Sequence, residues 1–273
     1  MEDPNPLVAG RGFAILRRAG IDVVTDVMAG DAARLNAAFI HWHLTGTPYM
    51  TLKAAMSLDG KVAAANGASQ WITGNAARAR AHRMRAQAGA VLVGIGTLLR
   101  DDPALTARPQ TYKPARQPLR VVLDSRLRTP VASRAVQLCA ADPQQYPMLI
   151  VGAAGAPASA ANSLRSAGVQ VELLAARPTG RVEIGLLPRL LADCGVQSVL
   201  CEGGPGIHTA LLAAGLVNRL ALFVAPVVLG GEASVVQGDA SEDPASGWRF
   251  TRPTVRRLGA DLLIEALPAL ADG

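Results

Sequence analysis

The 273-residue chain is poor in aromatic residues and in lysine, and each shortage argues against a class of partner. Aromatic residues make up only 4% of it, so an open surface of rings on which single-stranded nucleic acid could stack is not expected. Only three of the 27 basic residues are lysines, and the arginines are scattered. The net charge of +6 therefore does not indicate a nucleic-acid partner. Isolated arginines suit a small phosphorylated ligand, because one guanidinium can donate two hydrogen bonds to one phosphate.

Long apolar runs, targeting signals and paired cysteines are missing as well. The longest strongly apolar run, residues 220–229, is shorter than the roughly 20 residues that span a bilayer, and it contains Pro226. The first ten residues show no basic segment followed by an apolar one. We therefore expect a cytoplasmic protein without a membrane partner. Cys139, Cys194 and Cys201 form no CxxC pair and lie among apolar residues, which predicts reduced, buried thiols.

Strand and helix patterns alternate from about residue 48 onward. Half of the residues are hydrophobic, which is enough to fill a sizeable core. The patterns predict strands at 49–57, 90–94, 119–124, 148–151, 169–173, 198–202, 220–228 and 262–266, with helices at 75–87, 158–166, 184–193 and 206–214. This alternation predicts an α/β sheet covered by helices. The first 47 residues predict a helix over 12–18, a strand over 21–27 and a helix from Asp31 to about residue 44, too little for a domain by themselves.

A glycine-rich turn is the clearest sign of a ligand site. The segment Glu202-Gly203-Gly204-Pro205-Gly206 follows an apolar strand and opens a helix. Glycines let the backbone approach a ligand closely, and the free N–H groups at a helix start favour an anion. The turn therefore predicts a phosphate or pyrophosphate site. A second pair, Gly94 and Gly96, is weaker evidence, because Leu99 stands where the dinucleotide fingerprint needs a third glycine.

Charged residues near apolar strands are the other candidates. Lys53 lies within an apolar strand, where an unpaired ammonium is costly, so it needs a carboxylate or a ligand unless it reaches the surface. The Asp101-Asp102 pair and Arg108 follow the strand at 90–94, where they form either a site or a solvated loop. Thr73 is placed to cap the helix that begins at residue 75.

Several catalytic motifs are absent. The sequence holds no HxE with a downstream PCxxC, no GxSxG and no P-loop. His41 and His43 are two residues apart and face different sides of a helix, so they do not form a metal pair. No metal is expected.

Five segments in order carry a family resemblance. They are TLKAAMSLDGK at 51–61, SQWITG at 69–74, RMRAQAGAVLVGIGTLLRDDPALTAR at 83–108, PLRVVLDSRLRTP at 118–130 and CEGGPGIHTALLAAGLVNRLALFVAPVVLGG at 201–231. Together they resemble the reductase half of the bacterial riboflavin-biosynthesis deaminase/reductase, and the match runs over nearly all of residues 48–270.

The resemblance implies an α/β fold like that of dihydrofolate reductase, with a mixed, mostly parallel sheet flanked by helices, in a homodimer. It also implies NADPH-dependent reduction of 5-amino-6-(5-phosphoribosylamino)uracil to the ribitylamino product, with hydride passing to C1 of the sugar. Residues 48–273 would be the reductase domain, and residues 1–47 resemble the tail of the deaminase domain without its zinc motif. We therefore expect no deaminase activity and no bound zinc, and a separate deaminase as a partner is one reading.

The resemblance also implies roles for individual residues. Cofactor contacts would come from Ala55, Trp71, Thr97, Asp101, Ser125, Gly204, Pro205, Gly206, Ile207, His208, Thr209 and Ala210. Substrate contacts would come from Ser69, Arg85, Leu105, Arg108 and Glu202, with Arg85 and Arg108 on the 5-phosphate. The catalytic candidates are Lys53, Asp101 and Glu202. Two alternatives stay open: a pterin reductase of the dihydrofolate type with the same fold, and a non-catalytic partner of a separate deaminase.

Overall fold

The computed structural model describes residues 2–5, 7–69, 71–238, 243 and 246–269. Its strands are β1 Tyr49–Ser57, β2 Ala90–Gly94, β3 Leu119–Leu123, β4 Met148–Ala153, β5 Gln170–Leu174, β6 Ser198–Cys201, β7 Arg219–Ala225, β8 Phe250–Leu258 and β9 Asp261–Pro268. Its helices are α1 Arg11–Arg18, α2 Ala29–Leu35, α3 Ala37–Thr45, α4 Asn75–Gln87, α5 Ile95–Asp101, α6 Arg134–Ala141, α7 Ala158–Ser166, α8 Leu187–Asp193 and α9 Pro205–Ala213, with a 3-10 turn at Ile184–Leu186.

One nine-stranded sheet organises the chain, in the order β5-β4-β3-β2-β6-β1-β7-β9-β8. Parallel pairs join β5 to β4, β4 to β3, β3 to β2 and β2 to β6, and β1 is parallel to β7. β9 runs antiparallel to both β7 and β8. The predicted mixed, mostly parallel sheet with flanking helices is confirmed, and it is the architecture of the dihydrofolate-reductase-like fold.

The strands show two kinds of burial that follow from their sequences. β2 and β4 are continuous apolar runs and are buried nearly throughout, as parallel strands covered on both faces must be. β1 alternates instead: Met50, Leu52 and Ala54 are buried, while Lys53 and Ala55 face the other way. This alternation places the charged side chain and a small one on the same face of the strand.

Two apolar clusters form the core around this sheet. The larger one packs α6 and α7 against β2, β3 and β4, through residues such as Val136, Leu164 and Ile150. The smaller one packs α4 against β6, β7 and β9, with Met84, Phe223 and Leu263 at its centre. Because α4 is held on the sheet by this second cluster, its polar residues take fixed positions beside the central strands.

Residues 1–49 and 188–198 group as a compact unit separate from the rest of the chain. The strand predicted over 21–27 is wrong, because residues 21–26 form no regular element and Asp26 has a φ of 65° that breaks an extended run. Asp31 lies inside α2 and does not cap a helix, and a second helix, α3, follows. Cys194 is exposed, which corrects the expectation of a buried thiol, whereas Cys139 and Cys201 are buried.

Across the described ranges, no helix has the length and the apolar character that crossing a membrane requires.

Candidate active site

A cavity of about 480 Å³ lies beside the central strands. The chain passes from β2 outward through β3 and β4 to β5, and then returns to place β6 on the other side of β2. Ligands bind in open α/β sheets where the strand order reverses in this way, at the carboxyl ends of the strands. Residues that follow β2 and β6, including Thr97, Glu202 and Gly203, line the cavity together with Lys53 of β1.

Glu202 is the centre of a buried charged cluster. Arg85 Nε donates to Glu202 Oε1 at 2.6 Å and Arg85 Nη2 to Oε2 at 3.0 Å, while Lys53 Nζ lies 3.6 Å from Oε2. Burial opposes ionisation of Glu202, but the charges of Arg85 and Lys53 outweigh it and lower its pKa to about 2. The side chain is therefore a carboxylate at neutral pH that holds two cations in place.

Lys53 contacts both charge and an aromatic face. Its side chain is 13% exposed, and its ammonium lies 5.3 Å from the centre of the Phe223 ring. Burial lowers the pKa of Lys53, and Glu202 offsets this only in part, since the nearby Arg85 adds to the lowering. The carboxylate partner that the sequence predicted for Lys53 is Glu202. Because its pKa is lowered, the Lys53 ammonium releases a proton more readily than a surface lysine.

One face of α4 contributes several side chains to the cavity. Arg78, His82 and Arg85 recur at helical spacing and all line it. Burial, followed by the charges of Arg85 and Arg108, lowers the pKa of His82 to about 4. The Arg108 N–H donates to His82 Nδ1 at 3.3 Å, which leaves the proton of the neutral ring on Nε2. At neutral pH, His82 is therefore uncharged, and its Nε2–H can donate a hydrogen bond.

The start of α4 differs from the prediction. Gly74, not Thr73, is the residue before the first helical turn, and no side chain caps that turn. The Gly74 N–H donates to Asp261 Oδ2 at 2.8 Å instead. A carboxylate distant in sequence therefore anchors the residue before the helix, and the cap predicted at Thr73 is wrong.

The turn between α5 and Arg108 is strained and anchored. Asp102 and Leu105 have φ values of 37° and 55°, a left-handed conformation that is unfavourable for residues with a side chain. Ser69 Oγ donates to Asp101 Oδ1 at 3.1 Å, and Arg100 Nε lies 3.4 Å from the same oxygen. The Arg134 N–H donates to Asp102 Oδ1 at 2.8 Å. These contacts hold the turn open toward the cavity.

The glycine turn forms a close-fitting cradle at the start of α9. A Cβ on Gly203 would lie 3.2 Å from the Gly94 nitrogen, and one on Gly204 would lie 3.5 Å from Thr97 Oγ1. Gly204 precedes the helix and no side chain caps it. The turn therefore brings Gly204 and Pro205, at the positive end of the helix, against the cavity, a position that suits an anion. His208, one turn on, is 3% exposed; its Nδ1 contacts the Val235 carbonyl at 2.9 Å, and its Nε2 is buried without a partner among the described residues.

The structure brings most of the candidate site residues to this cavity and leaves some outside. Its lining includes Lys53, Ala55, Ser69, Trp71, Arg85, Thr97, Asp101, Leu105, Arg108, Glu202, Gly204, Pro205 and His208. The lining does not include Ser125, Gly206, Ile207, Thr209 and Ala210. Ser125 Oγ accepts from the Val182 N–H, and Thr209 Oγ1 donates to the Pro205 carbonyl.

Sequence reasoning missed other residues that line the cavity. Arg78, His82, Arg100 and Arg134 all face it, and none was a site candidate. The helical spacing of Arg78 and His82 from Arg85 is a signal that could have found two of them. Arg134 could not be found in this way, because it belongs to α6 and only the folded structure brings α6 to the cavity.

Comparisons with known proteins give one consistent result. Residues 48–264 match the model of the RibD C-terminal domain. The riboflavin biosynthesis protein RibD of Bacillus amyloliquefaciens is 38% identical over 271 residues, which cover 98% of this chain and 70% of that protein. The solved structure of Acinetobacter baumannii RibD has a TM-score of 0.80 at 35% identity and covers 98% of this chain and 71% of that one.

A second solved structure carries a description of its activity. It is the diaminohydroxyphosphoribosylaminopyrimidine deaminase/5-amino-6-(5-phosphoribosylamino)uracil reductase of Thermotoga maritima. Its TM-score is 0.79 at 28% identity, with 98% of this chain and 69% of that chain covered.

Proposed function

The chain belongs to the RibD C-terminal domain family, and from this premise we propose that it reduces 5-amino-6-(5-phosphoribosylamino)uracil to the ribitylamino compound with NADPH. The observation that carries the proposal is the buried Glu202, Arg85 and Lys53 cluster, which borders the glycine cradle in one cavity. A reductase of this kind needs an anion-binding turn for its cofactor and a proton donor beside the sugar. The cavity holds candidates for both.

The residues present fit a dinucleotide phosphate. The start of α9 has no side-chain cap, and Gly204 adds no side chain of its own beside Thr97, so room is left there for a phosphate. The Gly204 N–H would hold the pyrophosphate there, with Pro205, Thr97 and Ala55 along the cavity wall. Trp71 is 70% exposed and stacks under Arg78 at 4.7 Å, so it would border the cofactor from outside. When bound, NADPH supplies the hydride for C1 of the sugar.

The cluster suggests separate roles for the three catalytic candidates. Opening of the ribose ring leaves an oxygen that must gain a proton to become a hydroxyl. Lys53 is the donor that fits, because burial lowers its pKa and the proton can return from solvent afterwards. Glu202 stays ionised and orients Lys53 and Arg85, so it is a positioning residue. Asp101 faces the same cavity with its carboxylate held by Ser69, and would accept a hydrogen bond from a sugar hydroxyl.

The test is consumption of NADPH at 340 nm, with the substrate generated in place by a separate deaminase. We expect oxidation that depends on the deaminated sugar-uracil. Lys53→Met should lower turnover by about 10²- to 10⁴-fold, the typical contribution of a general acid. Lys113→Met is the matched control, because Lys113 is exposed and does not line the cavity. Binding of NADPH without turnover in the wild type, or full turnover of Lys53→Met, would contradict the proposal.

We also propose that residues 1–47 correspond to the end of a deaminase domain. The family model begins at residue 48, whereas the alignment with the Bacillus protein covers 98% of the chain. The same assay tests the expected lack of deaminase activity. The diaminopyrimidine precursor should support no NADPH oxidation until a separate deaminase is added. The homodimer stays a prediction from the family resemblance, and the cytoplasmic location stays a prediction from the sequence.

A further inference from the structure

We propose that Arg134, together with Arg108, binds the 5-phosphate of the substrate at the solvent-facing part of the cavity. This inference rests on the proposed function, since it names the residues that would recognise one group of that substrate. The family resemblance paired Arg108 with Arg85 for this group, and Arg134 is the residue that the cavity lining adds. Support comes from the occupied donors of Arg85, from the surroundings of Arg108 and Arg134, and from the contacts that fix the backbones of these two residues.

The Nε/Nη2 edge of Arg85 is occupied, and three of its five N–H groups already have acceptors. Its Nε and Nη2 both donate to Glu202, and its Nη1 donates to the Thr106 carbonyl at 3.1 Å. A phosphate on that edge would have to displace the buried Glu202 carboxylate, which would then lose its main partner. Arg85 is therefore committed to holding Glu202.

Arg108 and Arg134 differ from Arg85 in their surroundings. Both side chains line the cavity and both residues are exposed. Burial is the largest cause that lowers the pKa of Arg108, and the positive charges of Arg85 and Arg134 lower it further. Within the part of the chain that the structure describes, neither forms an ion pair. A dianion between them would remove this repulsion and use the planar edge of each group.

The backbones of both arginines are fixed while their side chains remain available. The Arg134 N–H is held by Asp102, and the Arg108 N–H is held by His82. Six basic and three acidic side chains line the cavity, so its field favours an anion. The two carboxylates nearest this end already have donors: Asp101 accepts from Ser69, and Asp102 accepts from Arg134. The lining thus preorganises two cations for one phosphate.

The experiment compares two substrates that differ only in the phosphate. KM and kcat are measured for the 5-phosphate substrate and for the corresponding 5-hydroxyl riboside, with the wild type, Arg134→Gln, Arg108→Gln and the double variant. We expect each single change to raise KM for the phosphorylated substrate by about 10- to 100-fold, the worth of a charge-assisted hydrogen bond. KM for the riboside should change less than about twofold. Arg116→Gln is the control, because Arg116 is exposed and outside the cavity lining.

A further measurement distinguishes a site for the phosphate of the substrate from a site for a phosphate of the cofactor. Dissociation constants for NADPH and NADH are measured by fluorescence with the same variants. Equal values in wild type and Arg134→Gln support the proposal. A loss of affinity for NADPH alone assigns Arg134 to the 2′-phosphate and overturns it, and an equal KM rise for riboside and phosphorylated substrate also overturns it.

Titration calorimetry with ribose 5-phosphate measures binding at the phosphate site without requiring turnover. If the wild type binds ribose 5-phosphate and Arg134→Gln weakens this binding at least tenfold, the phosphate site is supported. This holds even if the chain shows no turnover, in which case the proposed function alone has failed. Turnover by the wild type with ribose 5-phosphate binding unchanged in Arg134→Gln would leave the reductase standing and refute the role of Arg134.

Discussion

At the scale of single residues, the buried carboxylate of Glu202 organises the site. It receives two hydrogen bonds from Arg85 and lies 3.6 Å from the Lys53 ammonium, so two cations that burial would otherwise destabilise share one anion. The same contacts separate the chemical roles. Glu202 remains ionised, Arg85 remains occupied, and Lys53 is the member whose pKa is lowered toward proton transfer.

Asp101 is the residue whose role in turnover can be separated from binding. Asp101→Asn keeps the size of the side chain and an oxygen for Ser69 Oγ, but removes the charge. We expect kcat to fall by at least tenfold while the NADPH dissociation constant changes less than threefold, because a carboxylate is a stronger acceptor than an amide. Steady-state kinetics and fluorescence titration measure the two quantities.

The control for this change is Asp142→Asn. Asp142 accepts hydrogen bonds from the N–H groups of Gln144 and Gln145 in a turn outside the cavity lining, and asparagine can accept them too. Undiminished kcat in Asp101→Asn would rule out a catalytic role for the carboxylate.

At the scale of elements, the junction of β6 and α9 sets the geometry of the cradle. Gly203 is buried, and a Cβ there would meet both the Gly94 nitrogen at 3.2 Å and Ile207 Cβ at 3.3 Å. The first of these neighbours is backbone of β2 and cannot rotate away. The turn therefore needs glycine for close packing as well as for an approaching ligand.

Gly203→Ala tests this packing. We expect the free energy of unfolding to fall by about 1–3 kcal/mol, the usual cost of overpacking, because β2 and α9 must separate. Gly96→Ala is the matched control: its Cβ would meet nothing within 4 Å, so the change should be neutral or stabilise by about 0.5 kcal/mol. Urea denaturation measures both, and equal stabilities for the two variants would contradict the role of Gly203.

Among the elements that escaped sequence reasoning, β8 and α6 did so for different reasons. β8 is exposed along almost its whole length and contains Pro253, and its register on β9 shifts between Thr251 and Thr254. Such an edge strand lacks the alternation that marks a half-buried strand, so only its pairing with β9 defines it. α6 is an eight-residue helix, too short for a clear helical period, and it forms because Val136 and Cys139 pack on the core.

At the scale of the whole molecule, titratable groups that are half-buried or buried predict how stability depends on pH. The folded-state pKa of His82, about 4, lies below its ordinary 6.5, so the unfolded chain takes up the proton first as the pH falls. The stability that neutral His82 contributes is therefore complete above pH 6.5 and is lost between pH 6.5 and 4. Glu202 behaves similarly at lower pH, where its contribution is lost between pH 4.5 and 2.

His82→Gln should flatten the first of these losses. Glutamine can accept from the Arg108 N–H but does not titrate, so the melting temperature of the variant should fall less than that of wild type between pH 7 and pH 5. Thermal denaturation followed by circular dichroism measures both curves. Some slope should remain, because burial also lowers the pKa of His208. Parallel curves for wild type and variant would show that His82 is not the group responsible.

The sequence by itself determined most of the strands and helices, because apolar runs of strand length and periodic helices follow from local pattern. The helix at 75–87 and the strands at 49–57 and 90–94 lie where the pattern predicts them. It also pointed to the glycine turn and to Lys53, since glycine clusters and a charge in an apolar strand are visible without a fold. The strand predicted at 21–27 was wrong because extended propensity forms no strand without a neighbour to pair with.

Only the tertiary structure decided which charges meet. Lys53, Arg85 and Glu202 come from β1, α4 and the end of β6, and Arg134 comes from α6. Electrostatic contacts depend on distance in space, and strand order places β6 beside both β2 and β1 although they lie far apart along the chain. The occupied fork of Arg85 and the open pair of Arg108 and Arg134 are consequences of that packing, which no local pattern encodes.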